Sequence, residues 1–254
     1  MAVQKVKWVC FLSCLFVLSL LASGCFFGTF QTAETVGAGN VSSTAYVMIP
    51  TYAYSDTTME DFAENMSAGG FFQIGATDRF DVGLFFGTAG IGAQGKLRLT
   101  PGSTAKEKRT VRKTRTRSSR RKRRKTTVNP FHAAAIVSAT YNIWKGGLVP
   151  KGDLVASIRF GEYVALYGGG QIFYAPKLYD TDVSAKYVNR QIFAGFNVER
   201  GEDISKQLEW IPTALYIEFG YPLDLEKKTA MFGIGIGGAN LPILLGTCLS
   251  GMIE

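Results

Sequence analysis

The strongest constraint on this chain is a two-residue rhythm. After Ala22 no apolar run approaches the roughly 20 residues of a membrane-spanning helix, and short segments instead alternate apolar with polar residues or glycine. From Gln191 to Glu199, Ile192, Ala194, Phe196 and Val198 fall on one face. Gln191, Gly195, Asn197 and Glu199 fall on the other, and only Phe193 breaks step. Leu154, Ala156, Ile158 and Phe160 oppose Val155, Ser157 and Arg159; Leu97 and Leu99 oppose Lys96 and Arg98. The segments 215–220 and 232–237 repeat the pattern. Period-two alternation is the mark of half-buried strands, and many such strands with no helix must stack as a sandwich or close.

About ten strands are expected, within a range of eight to twelve, near 41–54, 69–77, 80–88, 91–100, 131–142, 153–160, 162–175, 188–199, 209–221 and 229–238. Tight turns at 77–80 and 160–162 fall on one side if every strand reverses. Longer loops at 55–68, 143–152, 176–187 and 222–228 fall on the other, while the charged loop 200–208 breaks the rule. Short turns at one rim and long loops at the other are the asymmetry of an outer-membrane barrel. The expected fold is therefore all-β, an antiparallel up-and-down β-barrel over residues 41–238, with an apolar tail at 239–254.

The start of the chain has a different grammar. Lys5 and Lys7 precede an apolar run from Trp8 to Ala22, too short to span a bilayer and typical of a secretory signal peptide. Its end, Leu21-Ala22-Ser23-Gly24-Cys25, resembles the bacterial lipoprotein signal. That resemblance implies removal of residues 1–24, a lipid on the Cys25 thiol, and a lipidated linker over 25–40. Phe26 after the cysteine implies delivery to the outer membrane. Even strand parity puts the start and end of the barrel on the short-turn side, where the lipid is expected in the periplasmic leaflet. Cys10 and Cys14 would leave with the signal, so a lipidated Cys25 leaves Cys248 without a disulfide partner.

Gly75-Ala76-Thr77-Asp78-Arg79-Phe80-Asp81-Val82-Gly83-Leu84 resembles a hairpin frequent in bacterial outer-membrane β-barrel proteins. Thr35-Val36-Gly37-Ala38-Gly39-Asn40 resembles the segment leading into their first strand, and Leu166-Tyr167-Gly168-Gly169-Gly170 one of their recurrent strands. The likeness covers roughly residues 34–240 outside the basic insert. It implies a bacterial cell outer membrane location and a barrel, but no particular substrate.

Composition adds exclusions. The formal charge is +8, yet 13 of the 28 basic residues lie between Lys106 and Lys125, and the rest of the chain carries 15 basic against 19 acidic residues. Basic character confined to one segment argues against a nucleic-acid-binding face. The segment 101–130, centred on Arg120, Arg121, Lys122, Arg123, Arg124 and Lys125, is expected to be an extended insert. It either docks on anionic lipid headgroups or cell-envelope polymer or is simply solvated. One histidine and four cysteines give no metal-ligand spacing, and no cofactor is expected.

His132 shares a strand face with Ser138, but about 20 Å of strand separates them, too far for a nucleophile and its base. His132 is expected at the membrane interface. Gly168-Gly169-Gly170 and the glycines Gly235, Gly237 and Gly238 lack the phosphate-loop pattern and suit a narrow barrel. Tyr52, Tyr54, Tyr141, Trp144, Tyr174, Tyr179, Trp210 and Tyr221 near strand ends suggest an interfacial girdle. Lys96, Arg98, Arg159, Glu199 and Glu218 are candidate lumen charges, with either arginine able to pair with either glutamate.

Two readings follow, neither enzymatic. One is a lipid-anchored outer-membrane barrel with a structural, surface-interaction or narrow-channel role, its apolar face toward lipid. The other is a soluble periplasmic lipocalin-like lipoprotein, its apolar face turned inward onto an apolar ligand. Alternation alone does not distinguish inside from outside.

Overall fold

The structure, a computed structural model, describes residues 28–50, 66–88, 90–101, 129–142, 146–161, 163–174, 188–200, 213–223 and 230–238. They form ten strands: β1 Val41–Pro50, β2 Ser67–Gly75, β3 Phe80–Gly87, β4 Gly90–Arg98, β5 Phe131–Tyr141, β6 Leu148–Phe160, β7 Val164–Tyr174, β8 Val188–Glu199, β9 Ala214–Pro222 and β10 Met231–Gly238. Each pairs antiparallel with its sequence neighbours, and β1 pairs with β10 from Ser43↔Gly238 to Pro50↔Met231, which closes the barrel. Closure leaves no sheet edge to template aggregation.

Strand β6 starts earlier than expected, at Leu148 instead of 153. Pro150, Lys151 and Gly152 read as loop, but they continue the ladder opposite Ala139, Ser138 and Val137. The pairing already formed by β5 outweighs their poor strand propensity.

Burial decides which face is which. Side chains of the apolar set point outward: Val137 is 67% exposed and Leu154 65%, and Leu84, Ile91, Ile172, Ile192 and Phe219 share that face. The inward set is rich in polar and charged groups, including Gln73, Lys96, Arg98, Asp153, Arg159, Gln171, Gln191, Asn197 and Glu218, all buried. Phe193, the residue out of step, points inward and is buried. This polarity is opposite to that of a barrel with an apolar interior for a lipid-like ligand, so the lipocalin-like expectation is corrected. Exposed aromatics ring both rims, with Phe80, Phe131, Phe160 and Tyr163 at the turn rim and Tyr141, Tyr174 and Tyr221 at the loop rim.

The described part of the 25–40 segment, expected as a linker, lies inside the barrel. Residues 28–36 are all buried. They run through the lumen from a level near Met48 down to the turn rim. There Gly37 (φ 87°) and Gly39 (φ 74°) take left-handed conformations that reverse the chain into β1. The remaining expectations for the signal peptide, the core of the basic insert and the tail fall outside the described residues.

Candidate functional site in the barrel lumen

The lumen contains a plug made of the protein's own chain. At the turn rim, Val36 N donates to both Asp81 carboxylate oxygens, at 3.2 and 3.0 Å, and Thr35 Oγ1 donates to the Asp78 carbonyl at 2.7 Å. Ala38 N reaches Asp78 Oδ1 at 3.3 Å. The two segments that resemble outer-membrane barrel motifs, 35–40 and 75–84, thus meet: the acids of the hairpin hold the corner where the plug becomes β1.

One level deeper, the Glu34 carboxylate accepts from Arg159 Nε at 2.9 Å on each oxygen and also contacts Nη2. His132 Nε2 lies 3.5 Å from Glu34 Oε1, and Ala33 N donates to Ser157 Oγ at 3.2 Å. His132 is fully buried and faces this ion pair, which corrects its expected place at the membrane interface. Gln31 then bridges two walls, accepting from Gln73 Nε2 at 2.6 Å and donating to Gln94 Oε1 at 3.3 Å.

At mid-barrel the plug ends its described course on β9 and β10. Thr29 N and Phe30 N donate to Glu218 Oε1 and Oε2 at 2.8 and 2.7 Å, and Tyr167 OH adds a third donor at 3.0 Å. Two successive N–H groups converging on one carboxylate form an anion nest, and the positive φ of Phe30 (40°) supplies the required bend. The Phe30 ring stacks on Tyr46 with centroids 4.5 Å apart. Its other contacts are with a glycine shelf. A Cβ on Gly233 would meet Phe30 Cζ at 2.4 Å, and one on Gly235 would meet Cδ1 at 2.9 Å.

The candidate lumen charges are brought together in part. Arg159 Nη2 lies 3.2 Å from Glu199 Oε1, one of the expected pairs. Glu218 has no arginine partner among the hydrogen bonds and ion pairs described; backbone N–H groups and a tyrosine satisfy it instead. Lys96 stands directly across from Asp81, and Arg98 lies two residues further along the same inward face. Cys25 and the cluster Arg120 to Lys125 lie outside the described residues.

Sequence reading missed Phe30, Gln31, Glu34 and Asp81 as lumen residues. Residues 28–36 have no strand rhythm, and the only available signal was that a barrel interior must be filled by something. Among the described residues, no cluster of three or more His, Cys, Asp or Glu is arranged to hold a metal ion.

Fold and site together define a class: a closed ten-strand antiparallel barrel with a polar lumen occupied by its own N-terminal segment. No protein-family profile matches the chain, and no curated protein matches it. Among solved structures, an outer-membrane channel from Pseudomonas putida F1 matches over 84% of this chain and 98% of its own, at 12% identity and a TM-score of 0.37. That score is too low for function or residue roles to pass from one chain to the other.

Proposed function

We propose that this protein is a non-enzymatic outer-membrane β-barrel, lipid-anchored through Cys25, whose lumen is a narrow channel held closed by residues 28–36. One observation carries the reading: a continuous set of apolar side chains faces outward between two aromatic rims, while charged and amide side chains, beside a buried apolar cluster that includes Met48 and Phe193, face a filled interior. In water, that outer surface is far larger than the apolar patches a soluble monomer tolerates; in a bilayer it is the solvated surface. Membrane lipid is the partner this surface fits. The basic block at Arg120–Lys125 supplies a second, electrostatic contact to anionic headgroups or envelope polymer, each charge worth about 1 kcal/mol near such a surface.

The test is the Cys25→Ser variant, which removes the lipid and leaves the barrel. It should still require detergent to stay in solution and migrate as a folded barrel in unheated samples. A freely soluble Cys25→Ser protein would sink the membrane reading.

A further inference from the structure

We propose that Arg159 and His132, with Arg98 one inward position away on β4, form a carboxylate-binding site in the lumen wall, which Glu34 fills as an internal stand-in for a small carboxylate solute. The channel consequence rests on the reading of the lumen as a plugged pore; the site itself rests on the geometry alone. Glu34, Arg159, His132 and Arg98 are all at least nine-tenths buried. Arg159 presents its guanidinium side-on to Glu34, with Nε 2.9 Å from each carboxylate oxygen and Nη2 also in contact. That fork is the arrangement by which arginine selects planar carboxylates over spherical anions.

The other two groups come from adjacent strands in register. Ser157 pairs with His132 across β5 and β6, placing Arg159 one inward position beyond it. Arg98 pairs with Ala134 across β4 and β5, one inward position from His132 on the other side. The site is therefore built into three neighbouring wall strands, and its occupant comes from a segment that is not part of the wall. The wall acids nearby, Glu199 on Arg159 and Asp81 opposite Lys96, remain when the plug leaves. At this level, with Glu34 withdrawn, Lys96, Arg98 and Arg159 outnumber those two acids; deeper in the lumen Asp153 is paired with Lys151 at 2.9 Å and Glu218 adds one more acid. A low-dielectric constriction with that excess favours anions.

The experiment uses the full chain in detergent and in planar bilayers. Glu34→Ala removes the resident carboxylate and leaves its space. At about 100 mM, acetate should raise the melting temperature of that variant by about 2–4 °C over chloride at equal ionic strength. The wild type, whose site is filled, and the double variant Glu34→Ala/Arg159→Gln should show no such difference. Identical melting of Glu34→Ala in the two salts overturns the site. Glu34→Gln, which keeps the volume and loses the charge, provides the second arm. Its currents should favour chloride over potassium by about fivefold, and Arg98→Gln should abolish the preference. Cation preference in Glu34→Gln also overturns the proposal. Acetate stabilisation without current in any variant would sustain the site and sink the channel, whereas current without an acetate effect would do the reverse.

Discussion

The main-chain N–H of Phe30 donates to Glu218 Oε2 at 2.7 Å across 188 residues of sequence, and this bond ties the middle of the plug to the barrel wall. Thr29 N–H doubles it on the other oxygen. Hydrogen bonds to a charged group contribute about 1.5–3 kcal/mol each, so Glu218→Ala should weaken docking of the plug by about 3 kcal/mol or more. The strand ladder does not use this side chain. We therefore expect Glu218→Ala to keep a folded barrel by circular dichroism while its single-channel recordings show openings absent from the wild type. Tyr167→Phe removes only the third donor and should have the smaller effect. A silent Glu218→Ala channel would mean that the plug is held adequately by Asp81 and Arg159.

Gly233 tests the same latch from the opposite wall. An added Cβ would come 2.4 Å from Phe30 Cζ, far inside contact distance, and the ring is also pressed against Tyr46. Gly233→Val must therefore expel Phe30 or distort β10. Because the plug is held by a handful of bonds and the strand by a closed ladder, the plug should yield. A cysteine at Thr32, a buried plug position that leaves the Phe30 ring in place, should then react with a small maleimide at least tenfold faster in the Gly233→Val background than with Gly233 intact. Equal reactivity would place the rearrangement in the wall instead.

The strands were readable because each carries its own two-residue pattern, which a barrel with unlike inner and outer faces enforces at every position. Phe193 shows the limit: it breaks the rhythm, yet it fills interior space beside Gly169, whose absent side chain makes room for its ring. Lys96, Arg98, Arg159, Glu199 and Glu218 were recognisable as inward groups from their strand phase alone. Their partners were not, because Glu34 and the Phe30 backbone come from a segment without periodicity. The start of β6 is not legible in the sequence because Pro150 and Gly152 carry loop signals that only the neighbouring ladder overrides.

Leu154 lies in the middle of β6 and is 65% exposed on the outer face. In a water-soluble barrel, Leu154→Arg would be neutral or helpful. At a bilayer midplane an arginine on the lipid face costs about 2–4 kcal/mol. Equilibrium unfolding in liposomes should therefore show a loss of that size for Leu154→Arg, and a much smaller one for Phe160→Arg at the turn rim. Equal, negligible losses at both positions would contradict a lipid-facing surface.

A lipid on Cys25 meets a geometric condition that the sequence did not reveal. Gly28 is buried in the lumen, and three residues span at most about 11 Å. The lipid proposed on Cys25 must therefore sit within that reach of Gly28. Mass spectrometry of the mature N-terminus should find cleavage before Cys25 and the added mass of the acyl groups. An unmodified Cys25, or cleavage elsewhere, removes the anchor from the proposed function.

The basic insert should be dispensable for folding. Its described flanks are already fastened together at the turn rim. Leu99 N donates to the Ala133 carbonyl at 2.8 Å, and Asn129 Nδ2 donates to the Pro101 carbonyl at 3.5 Å. Closing a loop costs only about 0.6 kcal/mol more per doubling of its length, so replacing 106–125 by a short Gly-Ser bridge should leave stability unchanged or slightly raised. Thirteen positive charges disappear in the process. Binding to vesicles containing anionic lipid should fall accordingly, and in the intact protein that binding should weaken steeply between low and physiological salt. Vesicle co-sedimentation across a salt series separates the outcomes. Salt-insensitive binding that survives the deletion removes the docking role, and a deletion that unfolds the barrel makes the insert structural. The barrel should survive, because every strand pair from β1 to β10 closes without it.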